Sequence, residues 1–134
     1  MRDIVYTVGY FYDGPRAGVA DYKGSPHLYE CQFSEEEDEF TDIYRLSKID
    51  DSLFKLALED WAIFRKWKIA FDKGDTNSTT HPALPEDKNR HKEIQNILVP
   101  KLKINSENHV IVKGNFISIK DIYMGYEVEW LYSI

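Results

Sequence analysis

The segment from Asp50 to Gly74 constrains the fold of this chain most, because it has the pattern of a long amphipathic helix. When successive residues are placed about 100° apart, one arc collects the apolar side chains Leu53, Trp61, Phe64, Trp67 and Phe71. Asp60 falls inside that arc. A carboxylate among apolar side chains is paired, neutralised or functional. We therefore expect a long helix and a partner for Asp60.

Length and composition predict one soluble domain that covers residues 1–134. The hydrophobic fraction of 43% and the aromatic fraction of 14% are enough for a core that needs no metal, cofactor or disulfide. No apolar run approaches the roughly 20 residues that span a bilayer, and Cys31 is the only cysteine. The amino terminus lacks the pattern of a signal peptide, which favours a cytoplasmic location.

The net charge of −6 is concentrated in the first half of the chain. Residues 1–60 contain 14 acids and 6 bases, whereas residues 61–134 contain 9 acids and 11 bases. Affinity for phosphate backbones comes from Lys and Arg contacts, so this balance disfavours binding to nucleic acid. A basic protein partner suits the acidic half better.

Strands are predicted on both sides of two helices. Before the first helix, alternating β-branched and aromatic residues predict the strands Ile4 to Tyr12, Gly18 to Tyr22, Pro26 to Phe33 and Phe40 to Leu46. Turns are expected at Asp13-Gly14-Pro15, at Lys23-Gly24-Ser25 and at the acidic run from Ser34 to Glu39. After the helices, short strands are predicted at Val110 to Val112, Phe116 to Ile119 and Tyr126 to Leu131, with a turn at Gly114-Asn115. The second helix should run from Pro85 to about Val99.

This order of elements lacks the regular alternation of strands and helices that builds parallel sheets. It favours an α+β fold. We expect a curved antiparallel sheet of five or six strands in which the strands before and after the helices meet as two halves of one sheet. The inserted helical hairpin is expected to pack on one face of that sheet.

Polar residues share the inward side of the second helix with Ile94, Ile97 and Leu98. Asp87 and His91 are spaced to touch on one helix face. A functional interpretation joins them to Asp60, His81 and Arg90 as an acid–base or weak metal site of a small hydrolase or ligand-binding enzyme. A structural interpretation pairs Asp60 with Arg90 or an indole NH. Because no catalytic or metal signature is present, we favour the structural interpretation and predict no catalytic residue.

Aromatic and arginine side chains, which are enriched at binding hot spots, supply most of the candidate binding residues, and the turn between Tyr12 and Arg16 adds an aspartate. These candidates are Tyr12, Asp13, Arg16, Arg65, Trp67 and Arg90. Each also has a structural interpretation. Helix aromatics such as Trp67 usually belong to a core, and alternating strand aromatics pack one face of a sheet.

Four segments resemble landmarks of an uncharacterised family of small bacterial proteins: Tyr12-Asp13-Gly14-Pro15-Arg16, Gly24-Ser25-Pro26-His27-Leu28-Tyr29-Glu30, Leu58-Glu59-Asp60-Trp61 and His81-Pro82-Ala83-Leu84-Pro85. The resemblance spans roughly residues 10 to 100. It implies a bacterial or phage source and a single domain, and it brings no function. From the residues themselves we expect a small non-catalytic protein-binding module, such as an inhibitor or immunity-type protein, that acts through an acidic and aromatic surface.

Overall fold

The computed structural model describes residues 2–9 and 14–133, with the side chains of residues 132 and 133 left out. Its strands are β1 (Asp3–Gly9), β2 (Ala17–Tyr22), β3 (Ser25–Ser34), β4 (Glu39–Lys48), β5 (Val110–Ser118) and β6 (Tyr126–Ser133). Each strand pairs antiparallel with the next, and β6 pairs with β1, which closes the sheet into a barrel. The α+β class, an antiparallel sheet of five or six strands and the meeting of its two halves are confirmed. Closure into a barrel goes beyond the predicted curved sheet.

The chain forms two compact units. The barrel unit contains the residues before Asp51 and after Leu102, and the helical unit is the segment Asp51–Leu102. One domain, with the helices packed on the sheet, stays a prediction. No helix in the described part of the chain is long and apolar enough to cross a membrane.

Two predicted hairpins of the barrel are confirmed. Lys23 and Gly24 both have positive φ angles, of 50° and 82°, as the tightest hairpin turns require. At the other end of the barrel, β3 and β4 are joined by an exposed turn that carries the predicted acidic run. Carboxylates that repel one another are best solvated at such a tip.

The predicted turn at Gly114-Asn115 is wrong, because both residues lie inside β5. A Cβ on Gly114 would lie 2.6 Å from Cζ3 of Trp130, so only glycine lets the indole approach the strand here. The pairing of β5 with β6 also shifts register between Lys113 and Gly114. The glycine therefore marks an irregular strand and a close ring contact instead of a chain reversal.

The barrel core is aromatic, and its buried tyrosines Tyr29 and Tyr44 have partners for their hydroxyl groups. The rings of Tyr29 and Tyr44 lie 5.0 and 5.1 Å from that of Phe116. Tyr29 Oη donates to the Thr7 carbonyl over 2.9 Å, and Tyr44 Oη donates to the Pro15 carbonyl over 3.2 Å. Burial therefore leaves neither hydroxyl without a hydrogen bond.

The helical unit contains α1 (Asp51–Asp72), two short 3-10 helices (Ser78–Thr80 and Pro85–Asp87) and α2 (Lys88–Leu98). Both predicted helices are confirmed. Gly74 has a φ of 80°, and the Asp75 N–H donates to the Ala70 carbonyl over 2.9 Å, so α1 ends in a glycine cap.

A small apolar core joins α1 and α2. Its buried residues are Ile63, Ala83, Ile94 and Leu98. The predicted inward position of Ile97 is wrong, because this side chain is 40% exposed. Ile94 and Leu98 are four residues apart and fill the contact with α1, whereas Ile97 lies to one side of that narrow stripe.

Candidate functional site

Asp60 has two partners, both on α2. Its Oδ1 lies 2.7 Å from Nδ1 of His91, and Gln95 Nε2 donates to its Oδ2 over 2.7 Å. His91 and Gln95 are one helical turn apart, so a single face of α2 meets both carboxylate oxygens. The prediction that Asp60 is paired is confirmed, but the predicted partners, Arg90 or an indole NH, are wrong.

This cluster lies in a half-buried position between the two helices. The side chains of His91 and Asp60 are 21% and 18% exposed. A carboxylate only accepts hydrogen bonds, so Asp60 holds the imidazole with its proton on Nδ1. The arrangement orients a histidine ring, as an acid–base pair requires, and it also ties α1 to α2.

The neighbouring charged candidates belong to other ion pairs between the two helices. Arg90 donates from Nε to Glu59 Oε2 over 2.6 Å and from Nη2 to Oε1 over 2.8 Å. These hydrogen bonds lower the pKa of Glu59 below its ordinary value. Asp87 lies 3.1 Å from Lys66 Nζ, so its carboxylate faces α1 and the expected pair with His91 is replaced by an ion pair with Lys66.

His81 belongs to an aromatic cluster on α1. Its ring meets that of Trp67 edge-on, with centroids 4.7 Å apart. Trp67 is 2% exposed, stacks on Phe71 at 5.0 Å and donates from Nε1 to Thr80 Oγ1 over 2.8 Å. Trp67 is therefore a core residue, which was one of its two predicted roles, and it offers no surface to a partner.

The four candidates for catalysis thus have three different sets of partners. Asp60 and His91 contact each other, Asp87 contacts Lys66, and His81 contacts Trp67. Across residues 2–9 and 14–133, no three His, Cys, Asp or Glu side chains are grouped to hold a metal ion. Both oxygens of Asp60 are already engaged within the protein, which favours a structural role for the cluster.

A second candidate site is the distal part of the β3–β4 hairpin, residues 31–42, which we call the acidic ribbon. Phe33 and Phe40 face each other across its two strands. Their rings meet edge to face at 5.1 Å, yet the residues remain 47% and 41% exposed. The Arg16 guanidinium lies 4.5 Å from the centroid of the Phe40 ring. This is an exposed aromatic pair with a cation–π contact at its margin.

The acidic ribbon is held in shape by side-chain hydrogen bonds at an irregularity in its pairing. The register shifts between Cys31 and Phe33. There, Thr41 Oγ1 donates to the Gln32 carbonyl over 2.9 Å and accepts from the Ile43 N–H over 3.1 Å. Cys31 Sγ donates to the Thr41 carbonyl over 2.9 Å, and burial raises the pKa of this thiol, which keeps it a donor.

The charge of this region has one sign. The acidic ribbon, residues 31–42, contains six acids and no lysine or arginine. Five of the acids follow one another from Glu35 to Glu39, and all five side chains are exposed. Aromatic rings that face water beside a block of negative charge are features of a binding surface.

The predicted binding residues divide between these regions. Arg16 lies at the acidic ribbon, whereas Arg90 is paired with Glu59 and Arg65 is half-buried on α1. Tyr12 and Asp13 lie outside the described residues. Sequence reasoning missed Phe33 and Phe40, although a usable signal was present: one phenylalanine stands on each side of the acidic run.

Comparisons with known proteins identified no relative of this chain. No protein-family model, curated protein or solved structure matches this chain. The resemblance to a family of small bacterial proteins stays a prediction.

Proposed function

We propose that this protein is a non-catalytic protein-binding module whose acidic ribbon recognises a basic surface on another protein. The observation that carries the proposal is the exposed pair of Phe33 and Phe40 beside the six acids of the ribbon. Aromatic side chains supply the anchors of many interfaces, because they lose little conformational entropy when they are buried.

The acids and the aromatic pair have different roles in this proposal. The block of negative charge steers a basic partner and accelerates association, particularly at low salt. Burial of the two rings then slows dissociation. An inhibitor or immunity-type protein that covers a basic surface of its target fits this division. The expected cytoplasmic and bacterial setting is part of the proposal.

An affinity-capture experiment with matched variants tests the proposal. Wild-type protein should recover a stoichiometric basic partner from bacterial lysate at low salt, and recovery should fall as salt is raised. The double variant Phe33→Ala, Phe40→Ala should lose that partner. The control is Ile97→Ala, Val99→Ala, which removes two exposed apolar side chains from the helical unit.

Circular dichroism should show that both double variants remain folded. If wild-type protein recovers no stoichiometric partner, or if the ribbon variant and the control recover it equally well, the proposal is wrong.

A further inference from the structure

Beside the acidic ribbon, β4 and β5 stop pairing with each other, and we call this place the fork. β4 pairs with β5 only from Ile43 to Leu46, opposite Val110 to Lys113. Beyond that level, β4 continues with β3 alone, and β5 continues with β6 alone. Within the described residues, Glu39–Asp42 of β4 and Asn115–Ser118 of β5 therefore each have one backbone edge without a neighbouring strand.

Specific residues build the fork. The register of β3 with β4 shifts between Cys31 and Phe33, and that of β5 with β6 shifts after Lys113. Such irregularities bend strands and increase their twist. Gly114 stands at the branch point, where a Cβ would lie 2.6 Å from the Trp130 ring and 3.1 Å from Cδ1 of Tyr44. The β3–β4 and β5–β6 strand pairs therefore separate at the level where the Trp130 and Tyr44 rings pack closely on Gly114.

An open strand edge is a template for pairing, and its charge selects what pairs with it. A second copy of this chain would bring another acidic ribbon to the same edge, so like charges oppose self-association. A basic strand would instead be attracted to the acidic ribbon. A contact between a basic and an acidic side chain is already present at the fork, where Lys113 Nζ lies 3.4 Å from Asp42 Oδ2.

We infer that an extended basic segment of the partner protein adds as a β-strand to the open edges at this fork. Its backbone pairs with Glu39–Asp42, with Asn115–Ser118 or with both. Because side chains alternate along a strand, the segment should alternate Lys or Arg with apolar residues. The basic side chains meet the acids of the ribbon, and the apolar side chains meet Phe33 and Phe40. This inference rests on the proposed function.

Synthetic peptides of about eight residues test the mode of binding. The first alternates Lys and Val, the second alternates Lys and Pro, and the third alternates Glu and Val. Proline keeps the charge but removes backbone donors. By fluorescence anisotropy at low salt, the Lys–Val peptide should bind at least about tenfold more tightly than either of the others.

Hydrogen exchange of the full chain with the Lys–Val peptide supplies the second readout. Amide hydrogens within Glu39–Asp42 or Asn115–Ser118 should exchange more slowly when the peptide is bound. Glu39→Lys should weaken binding of this peptide. Glu107→Lys changes the net charge equally at another exposed site of the barrel unit and should leave binding nearly unchanged.

Two results would overturn strand addition. One is equal affinity for the Lys–Val and Lys–Pro peptides, and the other is unchanged exchange in both segments at saturating peptide. Either result leaves the proposed function standing if lysate capture still depends on Phe33 and Phe40. Loss of that dependence would instead remove the proposed function.

Discussion

The helical unit and the acidic ribbon both contain acidic side chains, but the surroundings of these carboxylates are opposite. In the helical unit, Asp60 is half-buried and both of its oxygens are engaged by His91 and Gln95. In the ribbon, the acids from Glu35 to Glu39 are exposed beside two exposed phenylalanines. A carboxylate with internal partners stabilises a fold, whereas clustered exposed carboxylates repel one another and gain from an external cation.

This comparison separates residues by the property that their substitution should change. Substitutions in the helical unit should lower the free energy of unfolding and leave partner binding intact in the folded protein. Substitutions in the ribbon should change binding at little cost to stability. A residue that behaves in the opposite way would break the comparison.

The largest effect is expected from Trp67→Ala. This side chain is 2% exposed and is stacked on Phe71, and its indole also donates to Thr80. Replacement should lower the free energy of unfolding by about 3–5 kcal/mol, measured by urea denaturation. Trp67→Phe retains an aromatic ring and should cost less. A loss below about 1 kcal/mol for Trp67→Ala would mean that the helical unit is not held together by this cluster.

Asp60→Ala should have the next largest effect, because it leaves His91 Nδ1 and Gln95 Nε2 without their acceptor. We expect a loss of about 1–3 kcal/mol in the free energy of unfolding. Gln95→Ala removes one of the two contacts and serves as the smaller-effect control. Capture of the partner by the folded Asp60→Ala protein should match wild type. Unchanged stability with lost function would instead identify Asp60 as part of a site.

The partners of Asp60 show where prediction from sequence stops. Helical periodicity placed Asp60 on the inner arc of α1 and required a partner, and both conclusions hold. The identity of that partner depends on the position of α2 along the length of α1. The observed pairs are Glu59–Arg90 and Asp60–His91. A shift of one helix by one residue relative to the other would instead place Asp60 opposite Arg90. Spacing within one helix cannot fix that position.

The barrel shows the same limit for long-range contacts. Turn residues predicted the Lys23–Gly24 hairpin, because its φ angles are local requirements. Gly114 produced a false turn, because the residue that requires a glycine there, Trp130, lies 16 positions away. Phe33 and Phe40 flank the acidic run in the sequence, but their direct cross-strand contact depends on the register across the acidic tip.

A pH titration sharpens the comparison within the helical unit. The hydrogen bonds from Arg90 lower the pKa of Glu59 in the folded protein. A depressed folded pKa means that the stabilisation is present above the unfolded pKa and is lost as pH falls through the folded value. The difference in unfolding free energy between wild type and Glu59→Gln should therefore shrink when the pH falls from neutral to below the folded pKa. Arg90→Gln should remove the same pH-dependent part, and unequal effects of the two variants would contradict the pairing.

The smallest effect on stability is expected from the double variant Glu36→Gln, Glu37→Gln. These exposed acids lie in a run of five, so removal of two charges relieves repulsion and should leave the unfolding free energy within about 0.5 kcal/mol of wild type or slightly above it. Partner capture at low salt should nevertheless fall, because the steering charge is reduced. Glu127→Gln changes one half-buried acid that lies 3.5 Å from Arg2 and provides a control away from the ribbon. If the ribbon variant loses stability and keeps its partner, the acids serve the fold, and the distinction between the two regions fails.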